Sequence, residues 1–446
     1  MTPMPSTTST PGSPQAELLN RAALPLAALF VGYPLWWALG VQLPLWPLLA
    51  VPVALWLVVN RTRIVLPPGY GVLLLFLCWV LLSALMLTDV RYAASYVLRL
   101  VLYVAVFVFA LFVWNALDRG LEPHRVVLWI AVFWASIVVL SFPGILIDNL
   151  EFTSPFEWLL NHVGVHDPFV TALVHPEFSE YDRLYGVPRP SPLFAYTNDW
   201  GAAMGILTPV AVWACLSARR QRERLLLSGV LVASIVPIIV SVNRGCWISI
   251  GVAFAYVLLR RVSVGQLVAL VGASGAALFA LGLYLAVPQI HRVINARFDY
   301  ANTSTRETLY EASFRLASSS PLFGYGSPQS SSGLADSNDV SIGTHGQLWT
   351  ILVSQGYVGA ALFIAAAAVI WWRARPRDGT SPDVWLHATG LVVVVQIAFY
   401  EVLPVPLTVA LIAMAVSGVN RRRLGPSPRR YAAPDRKEGS HEPLEL

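Results

Sequence analysis

The chain has 446 residues, 56% hydrophobic and only 12% charged, with a net charge of +5 at pH 7. A soluble domain carries about 25% charged residues, so charge is too scarce here to cover a water-facing surface. Roughly 250 apolar residues, at ~20 per bilayer crossing, set a ceiling of about a dozen helices and exclude a disordered chain, a disulfide scaffold and an alternating-strand barrel.

Residues 1–20 are rich in Ser, Thr and Pro, lack the basic start of a signal peptide, and are expected to form a disordered tail. Apolar runs then follow over Ala22–Val41, Leu43–Val59, Tyr70–Leu87, Tyr96–Leu117, Arg125–Ile147, Leu193–Leu216, Leu225–Val242, Cys246–Leu259, Gly265–Val287, Leu348–Trp372, Val384–Leu403 and Leu407–Val419. They predict an all-α polytopic membrane protein with about 12 transmembrane helices over residues 21–424, closed by a second disordered tail over 425–446. The last run is short and follows Pro404-Val405-Pro406, which predicts a tilted or re-entrant segment. Cys78, Cys215 and Cys246 form no C-x-x-C pair, which argues against a thiolate metal site.

Sidedness follows from the arginines. With the N-terminus inside, inner connections carry Arg61 and Arg63, Arg119 and Arg125, Arg219 to Arg224, Arg260 and Arg261, and Arg373 to Arg377, and the tail opens with Arg421 to Arg423. The short outer connections hold only Arg91 and Arg244. This positive-inside pattern places both termini in the cytoplasm and the chain in the cytoplasmic membrane. Cations scattered along a membrane face, without interleaved stacking aromatics, argue against a nucleic-acid partner.

The same orientation puts two long loops outside, 148–192 and 288–347, and loops of that length are uncommon without a function. In the second, Ser304-Thr305-Arg306-Glu307 has capping-box spacing. Tyr310, Phe314 and Ala317 then recur on one helical face, and Ser318-Ser319-Ser320-Pro321 stops the run. The predicted helix lies with its apolar side on the bundle. Ser327 to Asp339, rich in Ser, Gly, Asn and Asp, is expected to be a mobile stretch that closes over a substrate.

Three polar features fall at outer ends of runs: Arg183 with Arg189, Arg244 within Ser241-Val242-Asn243-Arg244-Gly245, and His345. An arginine at a span end is ordinarily a snorkelling anchor, and a lone loop histidine is ordinarily solvated. Convergence on one side at similar depth gives them a further meaning. Two guanidinium groups grip a diphosphate bidentately, and a histidine accepts a hydroxyl proton near neutral pH.

Arg189-Pro190-Ser191-Pro192-Leu193-Phe194-Ala195-Tyr196-Thr197-Asn198 resembles the R-x-S-x-x-F-x-x-x-N motif of the O-antigen ligase and O-antigen polymerase superfamily. Asn243-Arg244-Gly245 is similar to its S-R-G motif, with Asn in place of Ser. Pro321-Leu322-Phe323-Gly324-Tyr325-Gly326, then His345, then Gly356-Tyr357-Val358-Gly359 resemble its signature region, and the likeness runs from about Arg183 to Phe363. Gly346 stands where the family often has Asn, and Thr197 where Pro is common.

The resemblance implies a C-type glycosyltransferase of the membrane. Its donor would be an undecaprenyl-diphosphate-linked glycan and its acceptor a glycan or lipid-glycan hydroxyl, in a ligase-like or polysaccharide polymerase-like reaction of the cell envelope. Arg189, Arg244 and His345 are the implied catalytic residues, and Arg183, Asn198 and Arg306 the implied substrate-binding residues. No cofactor or metal is expected. The first outer connection, Gly40 to Pro44, has no carboxylate where metal-dependent enzymes of this class carry one, Glu180-Tyr181-Asp182 is expected to be solvated, and arginines neutralise a diphosphate as a divalent ion would. The alternative reading is a transporter or flippase of a lipid-linked or anionic substrate, with spans broken near Pro237 and Pro404 as gates.

Overall fold

The computed structural model describes residues 14–182, 187–262, 303–329 and 346–423. Each expected apolar run overlaps helix except Gly265–Val287, which lies outside the described residues, and the run Val384–Leu403 is helical only to Gln396. The first part of the chain forms α1 (Pro14–Ala22), α2 (Leu24–Val31), α3 (Tyr33–Ala38), α4 (Leu45–Val59), α5 (Tyr70–Ser83), α6 (Val90–Asp118) and α7 (Pro123–Leu146). After the loop over 148–192 come α10 (Thr197–Leu216), α11 (Gln221–Ala233), α12 (Ile235–Val240) and α13 (Arg244–Val262). The last part holds α14 (Thr303–Ser319), α15 (Gln347–Ala374), α16 (Asp383–Gln396) and α17 (Val405–Arg423). Among the described residues, five stretches are long and apolar enough to cross a membrane: Tyr92–Asp118, Pro123–Leu146, Thr197–Leu216, Gln221–Val240 and Gln347–Ala374.

Three expectations change. Pro14–Ala22, expected to lie largely within a disordered tail, is helical, with Leu19 buried and an Arg21–Glu17 ion pair at 2.7 Å. The first run is two helices broken at Gly32, and the seventh is two broken at Ser234. Pro34 and Pro237 explain both breaks, since a proline lacks the N–H for the carbonyl four residues back and its ring crowds that carbonyl.

The core is centred on α10. Of its apolar stretch 83% is buried, against 17% for Gln221–Val240, so α10 is the central helix and the α11–α12 pair is peripheral. Helix α10 packs on α7, α13 and α16, and α17 packs on α6 and α16. Edge-on aromatic contacts knit the N-terminal side together: Trp46 meets Phe30 at 6.2 Å and Phe109 at 6.1 Å, and such pairs contribute roughly 0.5–1.5 kcal/mol beyond their buried area.

The described residues of the loop over 148–192 hold two short helices, α8 (Pro155–His162) and α9 (Pro168–Val174), and the paired strands β1 (Ser179–Asp182) and β2 (Val187–Pro190). Ser154 and Glu157 form a capping box on α8, and Glu157 also holds the His175 ring at 2.8 Å. The first connection is tied beneath this loop, with the Gln42 amide donating to the Leu173 carbonyl at 2.6 Å. In the antiparallel register, Glu180 sits opposite Arg189, so the two residues share a face.

Candidate functional site

The β1–β2 pair delivers Arg189 to the bundle. Its side chain is buried, and Nε donates to the Ser241 carbonyl at 2.8 Å. That contact joins the first motif to the connection that carries Arg244. Arg244 itself opens α13 and is exposed, so one guanidinium is fixed inside the end of the bundle while the other faces outward beside it.

Asn243 organises the junction. As the residue before α13 it caps the helix, its Oδ1 accepting from the Cys246 N–H at 3.0 Å. Its Nδ2 donates to the Thr197 carbonyl at 3.0 Å, on the first turn of α10, and the Tyr400 hydroxyl donates to the same Oδ1. A serine would supply the cap but lacks the amide donor that reaches α10, so Asn in the S-R-G position ties α10, α13 and the α16–α17 connection at one point. Gly245 is required by the same crowding, because a Cβ there would run into the Tyr400 ring and hydroxyl.

Two non-glycine residues here have left-handed backbones. Leu193 has φ 72° and Val242 φ 47°, and both are buried. For branched side chains such conformations cost of order 1–3 kcal/mol each and persist where surrounding bonds over-determine them. The bonds are visible: the Phe194 N–H donates to the Ser191 carbonyl, the Asn243 N–H to Ser241 Oγ, and Arg189 holds the Ser241 carbonyl.

The helix after the third motif docks at the same place. The Gln347 N–H donates to the Tyr400 carbonyl at 2.8 Å, its side-chain amide to the Tyr103 hydroxyl at 2.6 Å, and its Oε1 accepts from the Val402 N–H at 3.2 Å. Beside it Arg99 of α6 pairs with Glu401. These residues bring the start of α15 to the segment that touches Asn243.

The signature region has a mechanical role. Gly356 has φ 69° inside α15, a kink that only glycine adopts without strain, and the carbonyls of Pro321 and Leu322 stand where a Cβ would be, at 2.6 Å. The Pro321–Gly326 element fills the break. Tyr325 and Gly326 donate to the carbonyls of Val353 and Ser354 at 2.9 and 2.8 Å, and Tyr357 donates to Pro321 at 2.8 Å. Trp79 of α5 stacks on Phe323 at 4.6 Å and donates to the Leu322 and Gln355 carbonyls. The predicted apolar face of α14 is in place: Tyr310 stacks on Trp349 at 4.3 Å, Phe314 meets it edge-on at 5.2 Å, and Ala317 is buried.

Arg189, Arg244 and Asn198 are thus gathered at one end, with Asn198 exposed on the first turn of α10. Arg306 lies on α14. Arg183, His345 and most of Ser327 to Asp339 lie outside the described residues. Glu180 departs from its expected solvated state. It is half-buried, and its carboxylate accepts from the Thr197 N–H at 3.1 Å, because a helix start offers unpaired N–H groups that attract an anion. Asp199 stands within electrostatic reach of Glu180 and Glu401. The sequence reading passed over Arg99, Asp199, Tyr400 and Glu401. Arg99 and Glu401 carried a usable signal as ionisable residues inside apolar runs.

The family comparison takes in most of the residues of this site. Residues 193–364 match the family model described as O-antigen ligase. The match spans under half of the chain, and over that span it supports the resemblance to the O-antigen ligase superfamily. The matched segment takes in Asn198, Arg244, Arg306 and His345, and Arg189 lies just ahead of it. No curated protein matches the chain. The match supports an enzyme of ligase or polymerase type, and the long apolar helices support an integral membrane protein.

Proposed function

We propose that the protein moves a glycan from undecaprenyl diphosphate to an acceptor hydroxyl at the outer face of the cytoplasmic membrane, without a metal ion and with both termini in the cytoplasm. The observation that carries this reading is the bond from Arg189 to the Ser241 carbonyl, which holds one arginine beside the connection bearing the other. Arg189 and Arg244 grip the diphosphate, and Asn198 and Arg183 border the donor. His345 takes the proton from the acceptor hydroxyl as its oxygen attacks the anomeric carbon. The bond from that carbon to the diphosphate oxygen breaks, and its electron pair leaves with the lipid diphosphate. Arginines preorganised where that charge develops stabilise the transition state more than the ground state.

The test is reconstituted protein supplied with a purified lipid-linked oligosaccharide, with and without chelator. Release of the lipid diphosphate is expected in both cases and is expected to fall about a hundredfold or more in Arg244→Ala and His345→Ala. No release in either condition overturns the proposal, as does unchanged release in both variants. Movement of the intact lipid-linked glycan between leaflets, with no glycosidic product, would assign the chain to transport.

A further inference from the structure

The other end of the bundle holds a cavity of about 220 Å³ where α6, α15 and α17 finish. Helix α15 has 28 residues with a kink at Gly356, so at 1.5 Å per residue this end lies at most about 40 Å along it from Gln347, at the opposite end of that helix from the site described above. Four arginines line it: Arg373, Arg377, Arg421 and Arg422. Among the described residues that line the cavity there is no acidic side chain. Its remaining wall is largely apolar, with Ile370 from α15 and Leu411, Met414 and Ala415 from α17.

The cations are organised rather than merely numerous. Arg421 donates to the Arg373 carbonyl at 3.0 Å, tying the ends of α15 and α17 together. Arg422 lies over the Trp114 ring at 4.5 Å, which fixes it against α6. Arg373 and Arg377 are exposed at the opening. Cations at helix C-termini are favoured by the backbone dipole, and three helices end here.

We propose that this cavity binds the headgroup of an anionic glycerophospholipid of the surrounding membrane. The ligand must satisfy two chemistries at once: a phosphate oxyanion for the arginines, and a short apolar continuation for Ile370, Met414 and Ala415. A phosphodiester attached to glycerol and its first acyl methylenes supplies both. Free phosphate supplies only the first and would leave the apolar wall facing water. At ~30 Å³ per water the volume equals about seven waters, enough for a phosphoglycerol group but not for a whole lipid, so the acyl chains continue along the outside of α15 and α17. Basic pockets between helices at the end of a bundle are a recurrent way to hold such headgroups.

The experiment places the full chain in phosphatidylcholine nanodiscs doped with phosphatidylglycerol and counts retained lipids by native mass spectrometry. Wild type is expected to retain phosphatidylglycerol in preference to phosphatidylcholine. An Arg373→Gln/Arg377→Gln double variant is expected to lose about tenfold or more of that preference, at roughly the weight of one near-membrane cation per arginine. Ala415→Leu keeps every charge and fills the apolar wall, and it is expected to weaken retention several-fold. Unchanged retention in Ala415→Leu would reduce the effect to surface charge and overturn the site. Equal retention in the double variant overturns it directly. In a parallel arm, inorganic phosphate at millimolar concentration is expected not to displace the lipid, and full displacement would assign the cavity to free phosphate.

Discussion

The two ends of the bundle both use arginine, and they use it differently. At one end Arg189 is buried and bonded to a backbone carbonyl of a connection whose own geometry is strained at Val242. At the other end Arg373, Arg377 and Arg422 are exposed around a cavity with an apolar wall, Arg422 lying over the Trp114 ring. The difference teaches that position in the sequence gives an arginine its side of the membrane, whereas its hydrogen bonds give it a task. A guanidinium bonded inside the bundle can serve a reacting diphosphate, and exposed ones around an apolar-walled cavity can serve a headgroup.

The sharpest way to break this contrast is Arg189→Lys. The charge survives, but the planar fork that grips a carbonyl and an oxyanion together is lost. Turnover measured by lipid diphosphate release is expected to fall about a hundredfold, with Arg189→Ala lower still. Activity near wild type in Arg189→Lys would make the two ends equivalent.

Next in size is Gly245→Ala. The added methyl meets Tyr400, and overpacking of this kind costs typically about 1–3 kcal/mol. A fall of several degrees in the detergent-solubilised melting temperature is expected, together with reduced turnover. Tyr400→Phe should be milder, near 1 kcal/mol for one lost hydrogen bond to Asn243, with a turnover loss below about tenfold.

The smallest expected effect lies in the loop over 148–192. Burial first, and then Glu151 and Glu180, push the Glu177 carboxyl above its ordinary range, with His175 partly opposing them. A raised carboxyl binds its proton more tightly in the folded state, so its stabilisation is present at acid pH and is lost as pH rises through the folded pKa. Glu177→Gln should therefore raise the melting temperature by roughly 1–2 °C at neutral pH and leave it unchanged well below pH 4. A larger gain at acid pH than at neutral pH would reverse the sign of this assignment.

Much of the fold was legible because burial in a bilayer writes itself as long apolar runs, and the helices over Tyr92–Asp118 and Gln347–Ala374 needed nothing more. The breaks at Gly32 and Ser234 were written as well, in Pro34 and Pro237, but an apolar run hides a break when only its mean is read. At the site, Arg189 and Arg244 could be found from motif and topology. Tyr400, Glu401 and Arg99 could not be assigned a partner, since their contacts join residues separated by well over a hundred positions. Glu180 was misjudged for the same reason: its carboxylate is held by the start of a helix that the loop reaches only after folding back.

The kink at Gly356 has a consequence for how this protein can be rebuilt. Within the bilayer no water is at hand for the backbone groups that a broken helix releases, and here the Pro321–Gly326 stretch takes their place. Loop and helix are therefore two halves of one part. A chimera that imports residues 303–329 from a relative must carry 321–326 together with 353–359, whereas an exchange made beyond those bounds leaves the fracture in the helix covered.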